Sequence, residues 1–377
     1  MSPPRQPRRE REREVVIFGG AGFIGSNVAQ RYLLDGWRVR VFDSLCRPGV
    51  EQNLRWLKEG FGDRLEVVLA DVRDAAAVHA AARGAQLAFH FAAQVAVTTS
   101  LGDPRHDFEV NALGTFNVLE ALRAQEAPPS LVFTSTNKVY GGLPSLRFVA
   151  DAQRYRPEDP LVAARGIGED CHLDFESPYG CSKGSADQYV LDYTRSYGLR
   201  AAVFRMSCIY GPRQFGTEDQ GWVAHFLIRA LQRRPITLYG DGRQVRDILF
   251  IEDLVRAFQL AQRSMSGAEG VGVSGEAFNI GGGPSRTVSL LELLRLIGEL
   301  TGEAPEVHFD GWRTGDQRYY VSDTRKFQAA TGWSPQVDVV QGVRRLHAWL
   351  EGMGGNRIAP AQARPESLDA PAEAHAS

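Results

Sequence analysis

The chain has 377 residues, 43% hydrophobic and 23% charged, with a formal net charge of -2. That composition suits one large or two closely packed globular domains, and it supplies no basic field for a nucleic acid outside the Arg-rich first residues. No apolar run approaches the roughly 20 residues of a membrane span, and Cys46, Cys171, Cys181 and Cys208 form neither a CxxC pair nor a metal-ligand cluster with the His residues, so a reduced cytoplasmic setting without metal, membrane or nucleic acid is expected.

Met1 to Glu14 alternates Arg with Glu and Pro and has no apolar core of a signal peptide, so 1–14 reads as a frayed extension. Val15 to Phe18 then reads as a strand, Phe23 to Leu34 as a helix, Val39 to Asp43 as a second strand and Leu65 to Leu69 as a third. Leu87 to Phe91 and Leu131 to Ser135 continue the series, with a helix from Phe108 to Ala124 between them. This alternation predicts a Rossmann-type, doubly wound parallel sheet over 15–210, whose strand ends carry the small and polar residues that bind ligands. Gly141 to Pro178 breaks the rhythm as a long polar insertion, after which a helix from Tyr179 to Tyr197 and a strand from Ala201 to Arg205 resume it. Helices at Gly221 to Gln232 and Leu290 to Leu300, with an extended piece at Ile236 to Tyr239, predict a smaller mixed α/β lobe over 211–353 that covers the substrate. The Ala- and Pro-rich end, 354–377, reads as disordered.

Gly19, Gly20, Gly22 and Gly25 follow the first strand and open a helix, with Phe23 and Ile24 in its first turn. A Cβ there would hold the backbone away from a diphosphate, while the helix N-terminus offers free N–H groups and the positive end of its dipole. Asp43 closes the second strand where an acid binds the adenosine ribose hydroxyls and repels a 2'-phosphate, so NAD is expected rather than NADP. Ser44, Ala92, Ala93, Thr134 and Ser135, also at strand ends, join the expected cofactor contacts. Asp71 and Val72 would touch adenine, or Asp71 could instead cap a helix; Arg47 could reach the cofactor phosphate or face solvent.

Tyr179 and Lys183 stand four residues apart on one face of a helix whose start is marked by Ser177 and Pro178. A phenol ionises too weakly to be a base at neutral pH, but a neighbouring ammonium and a positively charged nicotinamide would draw its pKa down. It could then accept the proton of a sugar hydroxyl while the hydride leaves the same carbon. Thr136 is the natural third partner, although Ser135 or Thr134 could take that place.

The segments GGAGFIG (19–25), FTSTNKVYG (133–141) and YGCSK (179–183) resemble the extended short-chain dehydrogenases that act on nucleotide sugars. The likeness is closer still to the CDP-paratose 2-epimerase (CDP-tyvelose epimerase) branch, through QVAVTTS (94–100), SPYGCSKG (177–184), RQFGTEDQGWV (213–223) and GDGRQVRDIL (240–249), and it runs from about Val15 to Leu350. The resemblance implies that the sugar is oxidised at carbon 2 by tightly held NAD, that the keto sugar turns, and that the hydride returns to its other face. It carries over Thr136, Tyr179 and Lys183 as the catalytic set. It places Gln94, Thr98, Asn137, Arg213, Gln214, Gln220, Trp222, Arg246 and Arg318 around a nucleotide-sugar substrate, a CDP-hexose by preference. Arg246 would suit a diphosphate oxygen, or it could pair with Asp247 or Glu252; Trp222 could pack on the substrate or in the core. The chain departs from the branch in its tails and in the details of 143–172. A homodimer or homotetramer is implied by resemblance alone.

Two related activities and one of another class compete with this reading. The 4,6-dehydratases of the same family place Thr-Asp-Glu where this chain has Thr136, Asn137 and Lys138, and neither Asn nor Lys can act as the missing acid and carboxylate base. A 4-epimerase would use the same machinery on another carbon. A non-catalytic NAD-sensing regulator would not need Tyr179 and Lys183.

Overall fold

The computed structural model describes residues 13–267 and 272–354. Of the two terminal tails read from the sequence, 1–12 and 355–377 lie outside the described residues, while Glu14 already belongs to the first strand.

Seven strands form one sheet in the order Glu276–Ile280, Ala201–Met206, Ser130–Thr136, Leu87–His90, Glu14–Phe18, Arg38–Asp43, Leu65–Leu69, and every pairing is parallel. Their side chains alternate between two apolar layers. Val15, Ile17, Val41, Phe89, Val132 and Phe204 face one layer, and Val16, Phe18, Phe42, Leu131, Phe133 and Val203 face the other. Burial on both sides explains why these strands read as unbroken apolar runs.

The helix expected from Phe108 to Ala124 starts earlier and is not uniform. Pro104–Phe108 is α-helical, Glu109–Leu113 is a π turn, and Gly114–Arg123 is α-helical again. Thr115 donates to the Asn111 carbonyl at 2.6 Å, and a Cβ on Gly114 would lie 2.8 Å from a Val72 methyl, so the widened turn sits where the helix presses on the third strand's loop.

The lobe holds two small sheets. Ile236–Tyr239 pairs with Val307–Asp310, and Val245–Phe250 pairs with Cys208–Tyr210, Thr287–Ser289 and Tyr319–Tyr320. The segment Gly141 to Pro178 is not a plain loop. It contains a hairpin, Phe148–Ala150 with Tyr155–Pro157, and a short helix, Pro160–Arg165, capped by Asp159. Arg154 pairs with Glu292 at 2.5 Å and Tyr155 donates to Asp241 at 2.7 Å, so the hairpin braces the lobe.

A single cut at residue 210 does not describe the chain's path. Helix Ile251–Ser266 packs under the large sheet, with the Phe258 ring 5.1 Å from Phe204 and 5.5 Å from Phe91, and Glu276–Ile280 then forms the sheet's edge. No helix among the described residues is long and apolar enough to cross a membrane, and none of their His, Cys, Asp and Glu side chains form a group that could hold a metal.

Candidate active site

The glycine loop turns directly at the end of the first strand. Gly19 has φ 84°, and a Cβ on it would lie 2.5 Å from the Ala92 nitrogen; one on Gly25 would lie 2.1 Å from the Gly19 carbonyl oxygen. These contacts press the loop onto the backbone after the fourth strand, where Ala92 N donates to Phe18 O at 2.9 Å. Gly22 begins the helix Phe23–Leu34 without a side-chain cap, which leaves the positive end of that helix available to a phosphate. Asp43 accepts from the Ala21 and Leu45 N–H groups at 3.0 and 2.9 Å. Burial pushes its carboxyl pKa upward while those donors and Gly22 N–H oppose the change. A glycine cradle facing an acid fits the diphosphate and the adenosine ribose of NAD.

Beyond this acid, Ser44 is exposed and Arg47 is half-buried. Burial lowers the Arg47 pKa, and the charges of Cys46, Tyr179, Asp219 and Asp43 act against it, so Arg47 faces the cleft between the loop and the tyrosine rather than open solvent. Asp71 caps nothing: its carboxylate is taken by Arg73 at 2.9 Å, and Asp74 caps the next helix, Ala75–Ala82, accepting from Ala76 and Ala77 N–H at 3.0 Å. Val72 is buried against Gly114, and Ala93 follows Ala92 in the loop after the fourth strand.

Thr136 ends the fifth strand, and Tyr179 lies in the first turn of helix Ser177–Tyr197. Helix and strand bring Thr136 near the phenol, and the Thr136 hydroxyl itself donates to Asn137 Oδ1 at 3.4 Å and accepts from the Lys138 N–H at 3.2 Å. Burial pushes the Tyr179 pKa up to about 12, and the charge of Asp107 adds to this, while Thr136 and Arg47 oppose it. Among the protein's own groups, burial outweighs the charges around the phenol. Lys183 Nζ donates to the Thr134 carbonyl at 2.7 Å and stands 4.4 Å from the Phe133 ring centre. Burial lowers the Lys183 pKa to about 8, against the pull of Asp187 and Asp107. Thr134 donates to His90 O at 3.3 Å, whereas the buried Ser135 hydroxyl has no partner among the described residues.

On the other side of the cleft, Asn137 donates to Gln317 at 3.0 Å, and Gln317 donates to Gly141 O at 2.6 Å. Lys138 Nζ donates to Gly315 O at 2.7 Å; burial and the nearby Arg246 charge lower its pKa to about 8. Among the described residues the Arg246 side chain makes a local bond, to Val245 O at 2.9 Å. Its expected ion-pair alternatives are engaged elsewhere, Asp247 with Gly283 N–H at 3.0 Å and Glu252 with Arg345. Trp222 donates to Cys208 Sγ at 3.2 Å and packs on Phe226, between the cleft and the lobe core. Thr98 donates to Asp219 at 2.8 Å across the gap between sheet and lobe.

Several positions implied by the resemblance are held by contacts within the protein. Gln214 is buried and donates to Ile209 O at 3.1 Å, Gln220 pairs with the Thr217 backbone, and both shape their own loop. The Arg213 guanidinium lies 3.4 Å from the Trp56 ring centre, clamping the lobe onto the sheet body. Arg318 lies between the Tyr155 and Trp312 rings, 5.6 and 5.7 Å from their centres. The Gln94 N–H donates to Asn111 Oδ1 at 2.9 Å, and its amide donates to Ala96 O at 2.9 Å.

Sequence reading missed the polar frame beneath the tyrosine. Ser182 donates to Asp107 at 2.5 Å, and the Asn111 amide donates to Asp107 and Ser182, each at 3.1 Å. The one available signal was Ser182, held between Tyr179 and Lys183 on the same helix.

Comparison with known proteins agrees with this architecture. The profile of the NAD dependent epimerase/dehydratase family matches residues 15–281. The chain is 41% identical to the CDP-paratose 2-epimerase of Salmonella typhi over 343 residues, covering 89% of this chain and 98% of that one. It is 31% identical to the UDP-glucose 4-epimerase of Mycolicibacterium smegmatis, over 88% of this chain and 96% of that one. Among solved structures, the UDP-glucose 4-epimerase of Thermus thermophilus in complex with NAD superposes with a TM-score of 0.73 at 32% identity, covering 90% and 99% of the two chains. With its parallel sheet, glycine cradle and Tyr–Lys helix, this chain belongs to the NAD dependent epimerase/dehydratase family.

Proposed function

We propose that the protein is an isomerase that inverts carbon 2 of a CDP-activated hexose, by transient oxidation to a keto sugar and return of the hydride to the opposite face. The observation that carries this reading is the bond from Lys183 Nζ to the Thr134 carbonyl at 2.7 Å, which sets the helix of Tyr179 and Lys183 against the strand end that bears Thr136, at the ligand-binding edge of the sheet where the glycine cradle lies. Bound NAD supplies the acceptor, and later the donor, of the hydride. The chain's part is to move a proton and hold the sugar. Tyr179 takes the proton of the reacting hydroxyl and gives it back, Thr136 orients that oxygen, and Lys183 lends positive charge. The cradle of Gly19, Gly22 and Gly25, with Asp43, orients the cofactor.

The choice of carbon and base is supported by the likeness to the Salmonella typhi CDP-paratose 2-epimerase. Elimination of water is disfavoured by the side chains at the strand end, because Asn137 is tied to Gln317 and Lys138 is a cation. Arg246 and Lys138 give the cleft positive charge suited to the substrate diphosphate, and Trp222, Gln94 and Thr98 border the same space.

We read the functional unit as a homo-oligomer in the cytoplasm. Leu101, Phe108, Leu113, Phe116 and Tyr189 are exposed apolar side chains on adjoining helices, and a second copy of the chain would cover them.

The test is to incubate the protein with CDP-, UDP-, GDP- and dTDP-hexoses in deuterated buffer and follow the sugar ring by NMR. Inversion at carbon 2 of a CDP-hexose without solvent deuterium at that carbon is expected. Incorporation of deuterium there would mean proton abstraction next to a carbonyl, and inversion at carbon 4 would move the assignment to that position.

A further inference from the structure

If Tyr179 and Lys183 are the reacting pair, one buried carboxylate beside them still lacks a role. Asp107 has no exposed surface; it accepts from Ser182 Oγ at 2.5 Å and from Asn111 Nδ2 at 3.1 Å, and the Asn111 amide also donates to Gln94 O at 3.1 Å. Among the described residues no cation forms an ion pair with it. The other carboxylate near Lys183 is Asp187, which acts on the ammonium more strongly than Asp107 but is itself shared with Arg205 through two bonds, at 2.9 and 3.0 Å. The remaining groups facing the lysine are His90 on the fourth strand, which burial keeps neutral, and Tyr179 on its own helix. His106 faces Asp107 from the same short helix, and Arg47 faces Tyr179 from across the cleft. A lone buried charge is costly unless an opposite charge compensates it, and Lys183, next in the chain after the Ser182 that bonds Asp107, is the buried cation beside this frame.

We propose that Asp107 is a positioning residue: held by Ser182 and Asn111, its carboxylate is a second counter-charge, beside Asp187, that helps keep the Lys183 ammonium protonated inside the site. The same negative charge opposes ionisation of the Tyr179 phenol. Removing it while preserving shape therefore moves both groups in one direction. Without Asp107 the ammonium gives up its proton at lower pH and the phenol ionises at lower pH. Loss of packing alone would not produce that paired displacement.

The chain has four lysines, Lys58, Lys138, Lys183 and Lys326, so isotope labelling of lysine side chains yields a spectrum simple enough to titrate. Lys183→Arg identifies the Lys183 signal. In Asp107→Asn the Lys183 midpoint is expected to fall by roughly one pH unit, with Lys58 and Lys326 unmoved, and Asp107→Glu is expected to restore it. Both limbs of the pH–rate profile of Asp107→Asn are expected to move to lower pH. An unchanged Lys183 midpoint overturns the proposal whatever the turnover. Should Asp107→Asn not fold, the parent protein decides: its Lys183 signal is expected to carry a second inflection as Asp107 takes up a proton below neutral pH, and a signal without one overturns the proposal. Failure of the catalytic reading itself shows separately, as normal turnover in Tyr179→Phe.

Discussion

The Asp43 carboxylate accepts a hydrogen bond from the Ala21 N–H at 3.0 Å, so the acid that ends the second strand also holds the glycine loop it faces. Asp43→Ala should therefore weaken NAD binding twice over, by losing the ribose acceptor and by loosening the loop. Charged hydrogen bonds contribute about 1.5–3 kcal/mol, which corresponds to roughly a 10- to 150-fold rise in the NAD dissociation constant. Titration calorimetry with NAD and NADP checks this, and the variant should discriminate less between them. Unchanged NAD affinity would remove Asp43 from the cofactor site.

Tyr179→Phe keeps the ring and deletes the proton acceptor. Turnover is expected to fall by roughly 100- to 10,000-fold, while NAD binding and the thermal midpoint stay close to the parent's. Progress curves with the preferred nucleotide sugar, beside a thermal melt, separate a lost base from a lost fold. Rapid turnover in the variant would end the assignment.

Arg246 has no acidic partner among the described residues, so its charge is available to the substrate. Arg246→Ala is expected to raise KM for the nucleotide sugar by roughly 10-fold or more and to leave the NAD dissociation constant unaltered. Steady-state kinetics and a cofactor titration read the two effects independently. Weakened NAD binding with normal KM would place this guanidinium on the cofactor instead.

His90 supplies a stability test. Burial and the Lys183 charge hold its folded pKa at about 3, against about 6.5 in the unfolded chain. Between those values the unfolded state binds the extra proton, so its stability contribution is intact above pH 6.5 and declines as the pH falls toward 3. His90→Gln, which can still bond Thr115, should lack this slope. Relative to the variant, the parent is expected to lose about 2 kcal/mol between pH 6.5 and pH 5. Urea unfolding at both pH values measures it, and parallel losses in the two proteins would contradict the assignment.

The sheet was legible from residue pattern wherever a strand is buried on both faces, as at Val15 to Phe18 and Leu131 to Ser135. Glu276–Ile280 escaped because its apolar run is short and interrupted by Asn279. That buried amide is satisfied by partners far away in sequence: its oxygen accepts from the Tyr140 hydroxyl at 2.7 Å, and its nitrogen donates to Ile167 O at 2.8 Å. The hairpin strands Phe148–Ala150 and Tyr155–Pro157 are only three residues each, too short for an alternation to emerge. In the site, residues joined by helical spacing, Tyr179 and Lys183, could be found by pattern. Asp107 could not, since a charged residue on a helix reads as solvent-facing until Ser182 and Asn111 are seen around it. Nor do four residues of separation say which acceptor the ammonium chooses, and Lys183 bonds the Thr134 carbonyl.

The strand Glu276–Ile280 bears on how this enzyme could be re-engineered. A chimera spliced once near residue 210 would take its terminal strand and the supporting helix Ile251–Ser266 from the donor, mismatching the scaffold along a whole seam. Transplanting a foreign substrate pocket therefore calls for two exchanged cassettes, one before Ile251 and one after Ile280, with the native stretch between them retained.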